Sequence, residues 1–335
     1  MRRQAGCAGL GFFCTLLGFV LEPAAAQGLP EYHPNNPVVE SRSGIYFQPF
    51  LEPRAAWRLA VGLDYASMAE LAFGFSSDTS FLLDAESYRF SLDIAKDLGP
   101  SDFLLAKVSV GGVYAGGLDG FLNWYHDLLG ISFPEREGRP ENEFDYHYRY
   151  PDGTRVEYSS SNFHLNDLRI GAGHRFGPGI QSVLSVTLPT SPAADGYGRG
   201  VVSASLLTTV RAQISARLTY EGELGLGYTP RHGPLKQIQN QSFIALTSGL
   251  RYRFWGKQSL YANLYWASPQ YDDVAEATAL EREELDLDFG WIYRTSGGRD
   301  WRIGLTEDLY PSGPGIDLVM RVGTSWRQKS VRCER

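Results

Sequence analysis

The 335-residue chain has little of several features that would classify it at once. Cysteine occurs only at Cys7, Cys14 and Cys333, and the first two lie in a leader-like N-terminus, so we expect no intrachain disulfide in the mature chain. No run of about 20 apolar residues follows the first 26 residues, which argues against a transmembrane helix. The formal charge of −7 argues against a nucleic-acid partner.

The first 26 residues have the three parts of a secretory signal peptide. Arg2 and Arg3 form a basic start, and residues 10–21 form a short apolar stretch. Three alanines at 24–26 form a small-residue cleavage site. We therefore expect cleavage near Ala26 and export of the remaining chain.

What the body of the chain has in abundance is alternation. In the stretch from Ile214 to Tyr228, every second residue is apolar or tyrosine, and the residues between are polar, charged or glycine. A period of two indicates a strand with one apolar and one polar face. A length of about 15 residues exceeds the roughly 9–11 that cross a bilayer at a tilt. Similar stretches recur and predict twelve strands.

The fold that this pattern predicts is an all-β, antiparallel transmembrane β-barrel of about twelve strands over residues 56–327, with a short tail at 328–335. The strand count is even, and short turns such as 177–179 alternate with longer loops, as in bacterial outer-membrane barrels. Closure pairs every backbone amide, which lipid requires. A soluble β-sandwich is the alternative, but it explains neither the strand length nor the asymmetry of the connections. We therefore expect a porin-like protein of the Gram-negative outer membrane.

Two segments do not follow the alternation. Residues 27–55 contain five prolines and are predicted to be a periplasmic lead-in. The alternative is that they enter the barrel through Ile45, Tyr46 and Phe47. Residues 115–161 form an extracellular or lumenal insertion that ends in a predicted β-hairpin.

Within this insertion, residues 117–130 have the spacing of a helix with one apolar face. We expect this helix to plug the lumen in part. The plug residues would be Leu118, Phe121, Leu122, Trp124 and Tyr125. If this is so, deleting the helix should raise conductance.

The polar faces of the predicted strands carry charges of both signs, which can line a pore or cross-link it. The predicted lumen residues are Arg58, Asp64, Arg89, Asp93, Lys107, Arg169, Arg175, Arg217, Glu221, Glu223, Arg251, Arg253, Asp286, Asp288, Arg302 and Arg321.

The sequence offers only weak candidates for catalysis. His126 with Asp119 or Asp127 could activate a nucleophile or a water molecule, because a helix brings these positions close together. No serine stands in a nucleophile motif with them, and a hydrogen-bond network that fixes the loop is the simpler interpretation. An acidic loop at 268–283 could hold a divalent ion between lipopolysaccharide phosphates, but its spacing matches no calcium loop. We therefore expect no catalytic centre, no metal and no cofactor.

The stretch GGLDGFLNWYHDLLG, followed by Arg139 and Pro140, resembles the glycine-rich, Asp/His-containing helix of an uncharacterised Gram-negative family, the "domain of unknown function 3187" proteins. Further matching stretches extend over most of the mature chain: Asp84–Arg89, Asn166–Arg169, Leu188–Thr190 and Thr306–Leu309. The family pattern favours glycine where this chain has Asn166. The resemblance implies an outer-membrane barrel and supplies no established activity.

The lumen charges predict a narrow or gated pore for small polar solutes. An outer-leaflet lipid-modifying hydrolase that uses His126 is one alternative. A structural or adhesive barrel that acts through 115–161 and 268–283 is another. In each case we expect a monomer whose partners are outer-membrane lipid, lipopolysaccharide and the barrel-assembly machinery.

Overall fold

The computed structural model describes residues 28–53, 55–73, 80–129, 140–192, 196–272, 278–309 and 317–329. The predicted signal peptide, its cleavage site near Ala26 and the end of the C-terminal tail lie outside these residues. Within the described ranges, no helix is long and apolar enough to cross a membrane.

Fifteen strands form one antiparallel sheet. In chain order they are β1 (Ala55–Phe73), β2 (Ser80–Asp97), β3 (Asp102–Tyr114), β4 (Asp145–Arg149), β5 (Arg155–Glu157), β6 (Ser161–Leu165), β7 (Leu168–Gly177), β8 (Ile180–Leu188), β9 (Ser203–Gln213), β10 (Leu218–Tyr228), β11 (Ser242–Trp255), β12 (Gln258–Ala267), β13 (Glu284–Arg294), β14 (Asp300–Asp308) and β15 (Leu318–Lys329). β4, β5 and β6 are additional to the ring, which leaves 15 − 3 = 12 strands. β3 pairs with β7, and β1 pairs with β15 to close the ring. The predicted twelve-stranded antiparallel barrel is confirmed.

Several strand boundaries differ from the predicted ones, most clearly at β6–β7 and at β9. The strand predicted at about 163–176 is split into β6 and β7 by a bulge opposite β3: residues 166–168 lie between the pairs Leu165–Val110 and Arg169–Lys107, where β3 has only residues 108–109. The Asn166 side chain still donates to Ser109 Oγ of β3 (3.0 Å), whereas Asp167 accepts from the Arg199 amide (2.9 Å). The sequence pattern predicts a short turn at 211–213, but β9 runs on to Gln213 and the turn lies at 214–217 instead.

The two ends of the barrel differ. Short turns join strands at one end, which we call the turn end, at 98–101, 178–179, 214–217, 256–257 and 295–299. The opposite end, which we call the loop end, carries most of the long connections. There β2 extends beyond its pairing with β3 and pairs with β4, which pairs with β5 as the predicted hairpin.

An apolar cap is built at the loop end from inward-facing strand residues and from the long connections. Its buried members are Val38, Ala66, Met68, Phe81, Leu83, Ala85, Val113, Tyr146, Tyr148, Tyr197, Leu235, Ile238, Tyr271, Leu280 and Val319. The cap therefore draws together three loops, the β4–β5 hairpin and the long strands β1 and β2.

The helices are short. α1 (Pro37–Glu40) begins at Asn36, whose side chain accepts from the Val38 amide (2.8 Å). α2 (Asp119–Leu129) lies within the predicted helix, and a 3-10 turn spans Thr278–Glu281.

The outward face of the ring is apolar. Exposed side chains on it include Leu63, Phe90, Leu104, Ile170, Leu184, Leu206, Leu224, Leu246, Leu260, Ile303 and Val322. Such a belt is expected of strands that face lipid.

Candidate functional site

The lumen holds residues 28–53, which we call the lumenal hairpin. Its two arms run antiparallel: the Phe47 amide donates to the Tyr32 carbonyl (2.9 Å), and the Tyr32 amide donates to the Phe47 carbonyl (3.4 Å). Gly28 is bound by β11 near the turn end, whereas Arg42 donates to a carbonyl that follows β10 at the loop end (3.2 Å). The chain therefore crosses the lumen, turns back and returns to begin β1.

Wall arginines hold the lumenal hairpin through its backbone. Their guanidinium groups donate to its carbonyl oxygens as follows: Arg89 to Pro34 (3.1 Å), Arg211 to Phe50 (2.9 Å), Arg251 to Gly28 (2.7 Å), Arg302 to Glu31 (2.8 Å) and Arg321 to His33 (2.9 Å). In the other direction, Glu223 of β10 accepts from the Gln48 amide (3.0 Å). Hydrogen bonds with an ionised partner are roughly twice as strong as neutral ones. These bonds fix the path of the hairpin backbone in the lumen.

Arg321 joins the wall to the hairpin in a buried ionic network. It is 2% exposed, and its guanidinium lies 3.2 Å from Asp64 and 3.5 Å from Asp288. Arg89 shares the Asp64 carboxylate at 3.2 Å. Buried charges are tolerated only when they are paired. The network therefore ties β1, β2, β13 and β15 together around His33.

The return arm of the hairpin supplies its apolar contacts. Ile45, Tyr46 and Phe47 are fully buried in a cluster with wall residues of β3, β8, β9, β11 and β12. The Tyr46 ring centre lies 4.1 Å from the Arg169 guanidinium carbon and 4.3 Å from Lys107 Nζ, as in cation–π pairs. The structure places these three residues inside the barrel, where the alternative interpretation of 27–55 put them.

Glycines in β10 leave room for this arm. A Cβ added to Gly225 would lie 2.6 Å from Ile45 Cγ2, and one added to Gly227 would lie 2.9 Å from the Ser43 carbonyl oxygen. Larger side chains at either position would push the hairpin away from the wall.

Among the cavities between the hairpin and the wall are two that described residues line. The larger, of about 150 Å³, lies toward the turn end and is lined by Arg58 and Phe50 among others; we call it the turn-end cavity. The smaller, of about 30 Å³, lies deeper, beside Arg89. Asp93 and Lys107 line both cavities, so they stand where the two meet.

An ion-pair cluster occupies this meeting point. Lys107 Nζ contacts the Glu31 carboxylate and lies 3.7 Å from Asp93. Ligand atoms of Glu31, His33 and Asp93 lie within 4.8 Å of one another, a spacing that could hold a cation. Lys107 already brings positive charge to these carboxylates. The cluster therefore forms a salt bridge between the hairpin and the wall at the point where the two cavities meet.

Helix α2 lies against the outside of the wall, which differs from its predicted place in the lumen. Glu86 of β2 and Glu307 of β14 occupy outward-facing positions of the strand register. Glu86 accepts from the amides of Gly117 (2.9 Å) and Leu118, just before the helix. Glu307 accepts from the Tyr125 hydroxyl (2.9 Å). These two outward carboxylates anchor the helix beside the rim of the barrel.

The side chains predicted to plug the lumen lie on this helix outside the wall and differ in burial. Leu122 is buried beneath the helix, and Leu118 and Tyr125 are half-buried. Phe121 and Trp124 are exposed, at 44% and 58%. An apolar, aromatic helix face at this level is typical of a segment that contacts the membrane interface.

A spin label can test the membrane contact of α2. Phe121, Trp124 and Leu128 form its exposed apolar side, whereas the exposed Asn123 lies about 100° around the helix from Trp124, on the polar side. In a Cys333→Ser background in phospholipid vesicles, we expect a nitroxide at Trp124→Cys to be more accessible to oxygen than to a water-soluble nickel complex. We expect the reverse at Asn123→Cys. Water-like accessibility at both positions would contradict the placement in lipid.

The candidate catalytic residues on α2 have separate surroundings. Asp119 is buried and accepts from the Asn142 amide (2.6 Å), which holds the loop after the helix. Asp127 is exposed. The His126 side chain lies outside the described residues, so the predicted pair stays a prediction.

The acidic loop has its predicted bounds, because β12 ends at Ala267 and β13 begins at Glu284. Glu284 belongs to β13 and is 1% exposed, so it faces the lumen and not the loop. Asp272 is exposed, and Asp273 and Glu276 lie outside the described residues.

Most of the residues predicted to line the lumen face it. Those that are buried there are Arg58, Asp64, Arg89, Lys107, Arg169, Arg175, Glu221, Glu223, Arg251, Asp286, Asp288 and Arg321. Asp93 and Arg302 are half-buried and line cavities. Arg217 and Arg253 are exposed at the turn end, where Arg253 donates to the Ala216 carbonyl (2.7 Å). Arg217 lies in the 214–217 turn, where the strand alternation has ended.

Sequence reasoning missed Arg211, which is buried on β9 and bonds to Glu221 and Phe50. The signal was present, because Ser203, Ser205, Thr209 and Arg211 continue one polar face of β9. Interpreting 211–213 as a turn hid it.

Comparisons with known proteins agree with this architecture. The profile of the family described as "Protein of unknown function (DUF3187)" matches residues 45–327. Among solved structures, the COG4313 outer membrane channel from Pseudomonas putida F1 is similar at a TM-score of 0.52 and 13% identity, over 81% of this chain and 95% of that one. At this identity the likeness shows the fold alone.

Two further barrels are similar at lower scores. The KdgM porin has a TM-score of 0.40 and 8% identity, over 80% of this chain and 98% of its own. The P. putida toluene transporter TodX has a TM-score of 0.40 and 11% identity, over 88% and 93%. Scores this low support no structural argument. None of the curated proteins matches this chain in sequence.

Proposed function

Since the chain belongs to the DUF3187 family, whose description assigns no activity, we propose its function from the barrel itself. We propose a gated pore for small polar solutes in the Gram-negative outer membrane, in which the lumenal hairpin is the gate. The fold shared with an outer membrane channel supports this location and class.

One observation carries the proposal: the wall that faces the hairpin is charged around most of its circumference. Arg89, Arg251 and Arg321 bond to hairpin carbonyls, and Glu223 bonds to a hairpin amide. Water can replace a backbone carbonyl as the partner of a guanidinium group, so this wall suits a water-filled lumen once the hairpin moves. A permanent core would be expected to present apolar side chains there.

The apolar contacts of Ile45 and Phe47 favour the closed arrangement. The free energy gained by burying these two side chains must be offset by whatever opens the gate. The pore is therefore expected to rest closed and to open in response to a solute or to voltage.

A disulfide lock tests the gate directly. Ile45 and Gly225 face each other closely enough for paired cysteines, because a Cβ at 225 would lie 2.6 Å from Ile45 Cγ2. We expect the oxidised Ile45→Cys/Gly225→Cys protein, in a Cys333→Ser background, to lose channel openings in planar bilayers. A reductant should restore them.

The reduced double variant and Ile45→Cys alone serve as controls, because both lack the bond and neither places a side chain at 225 against Ile45. Unchanged openings in protein confirmed as cross-linked would show that the hairpin is not the gate.

The surroundings of the barrel follow from its outer face. We propose that the apolar belt is covered by outer-membrane lipid and lipopolysaccharide, that the barrel-assembly machinery inserts the protein, and that it works as a monomer. The exposed belt residues, such as Leu184 and Leu224, support the contact with lipid.

A further inference from the structure

The turn-end cavity combines cationic side chains with an apolar lining. Six lysine or arginine side chains and three carboxylates line it. Three more carboxylates, Glu52, Asp97 and Glu221, pair with its arginines from behind the lining. Between the charges lie Leu29 and Phe50 of the hairpin and Leu105 and Ile292 of the wall. Such a lining is complementary to a molecule with an anionic group and an apolar body.

Of the cations that line this cavity, Arg58 has the weakest set of hydrogen-bond and ion-pair partners among the described residues. It is 8% exposed, and within the described part of the chain its three side-chain nitrogens make no hydrogen bond. Its nearest carboxylate is Asp97, at 3.7 Å, and the same oxygen accepts from Arg175 at 2.6 Å. Two cations thus share one carboxylate. Buried donors without partners are costly, so an added anion would relieve Arg58 of this cost.

The size of the cavity limits the apolar body. A volume of about 150 Å³ matches apolar protein cavities that hold a benzene-sized molecule. A body of about six carbons therefore fits, whereas a long acyl chain does not.

We propose that the turn-end cavity binds small organic monocarboxylates, with the carboxylate on Arg58 and the apolar body against Leu29, Phe50 and Leu105. The cavity opens beside the strand ends that carry Asp300 and Arg327, so the ligand exchanges at the turn end. If the proposed gated pore is correct, this site identifies the class of solute that reaches the gate from the turn end. Binding itself does not depend on conduction.

Calorimetric titration of refolded residues 27–335 in lipid nanodiscs tests the site. The probe is cyclohexanecarboxylate; cyclohexanecarboxamide has the same body without charge, and acetate has the charge without the body. We expect the amide and acetate to bind at least about tenfold more weakly than the probe. Arg58→Gln should weaken the probe at least about tenfold and leave the amide unchanged. Arg149→Gln, an exposed arginine on β4, should change neither.

Several results would overturn the site. Equal binding of probe and amide would mean a merely apolar cavity, and equal binding of probe and acetate would mean a general anion site. Loss of probe affinity in Arg149→Gln would mean a nonspecific effect of charge. If Arg58→Gln does not fold, Arg302→Gln removes a second cation of the lining and should also weaken the probe. A barrel that conducts once the hairpin is removed but binds no probe in its intact form rejects this site and retains the pore.

Discussion

Deleting residues 28–52 is expected to turn a barrel with rare openings into one with steady single-channel steps in planar bilayers. The deletion removes the segment that fills the lumen and exposes the charged wall formed by residues such as Arg89 and Arg321. Twelve strands lie between small filled barrels and wide porins, so we expect conductance to rise at least about tenfold. Single-channel recording of the refolded, heat-modifiable protein measures it.

Replacing α2 by a short Gly-Ser linker is the matched control. The helix is held by the outward carboxylates Glu86 and Glu307, so its loss should leave the lumen filled and the conductance unchanged. A large increase with this control, and none with the hairpin deletion, would assign the plug to α2, as the sequence pattern suggested. No increase with either would reject the pore.

Arg321→Met is expected to destabilise the folded barrel by about 3–5 kcal/mol, because it leaves Asp64 and Asp288 buried without their shared cation. The Met side chain keeps most of the volume, so the loss reports charge pairing and not a cavity. Urea unfolding in phospholipid vesicles, followed by heat-modifiable gel migration, measures the shift.

Arg149→Met, at an exposed position on β4, provides the baseline and should change stability by no more than about 0.5 kcal/mol. Adding Asp64→Asn and Asp288→Asn to Arg321→Met should recover a large part of the loss, because both carboxylates are then neutral and Arg89 keeps its ion pair with Glu40 (2.8 Å). A full-sized loss in the triple variant would mean that packing or the bond to His33 dominates instead.

The barrel could be predicted from the sequence because its signal is local. Each strand repeats a period of two, as in β10, where Glu221 and Glu223 alternate with Gly222 and Leu224. That period predicts both the strand and which of its residues face the lumen. The lumen residues were therefore largely predictable without knowledge of the closure.

The lumenal hairpin was only an alternative because its contacts are distant in sequence. The amide of Leu29 bonds to Glu221, 192 positions away, and no period marks the segment as internal. Prolines at 30, 34, 37, 49 and 53 indicate a segment outside regular structure, which fits a lead-in as well as a lumenal chain. The two interpretations are distinguished only by the contacts that the segment makes with the wall of the closed barrel.

The placement of α2 was misjudged for a different reason. Its amphipathic spacing shows that one face is covered, but it does not say by which side of a barrel. The outward positions of Glu86 and Glu307 could have been read from the strand alternation, and they indicate a contact outside the lumen.

The lumenal hairpin constrains the order of steps in which this barrel can assemble. It directly precedes β1, and β1 and β15 form the seam between the two ends of the chain. Once that seam is sealed, the segment can no longer enter between the strands and can enter only end-on. The newly made chain must therefore wrap around its own beginning or thread that beginning in afterwards. If the chain wraps around this segment, the pairing of β1 with β15 is the step that encloses it.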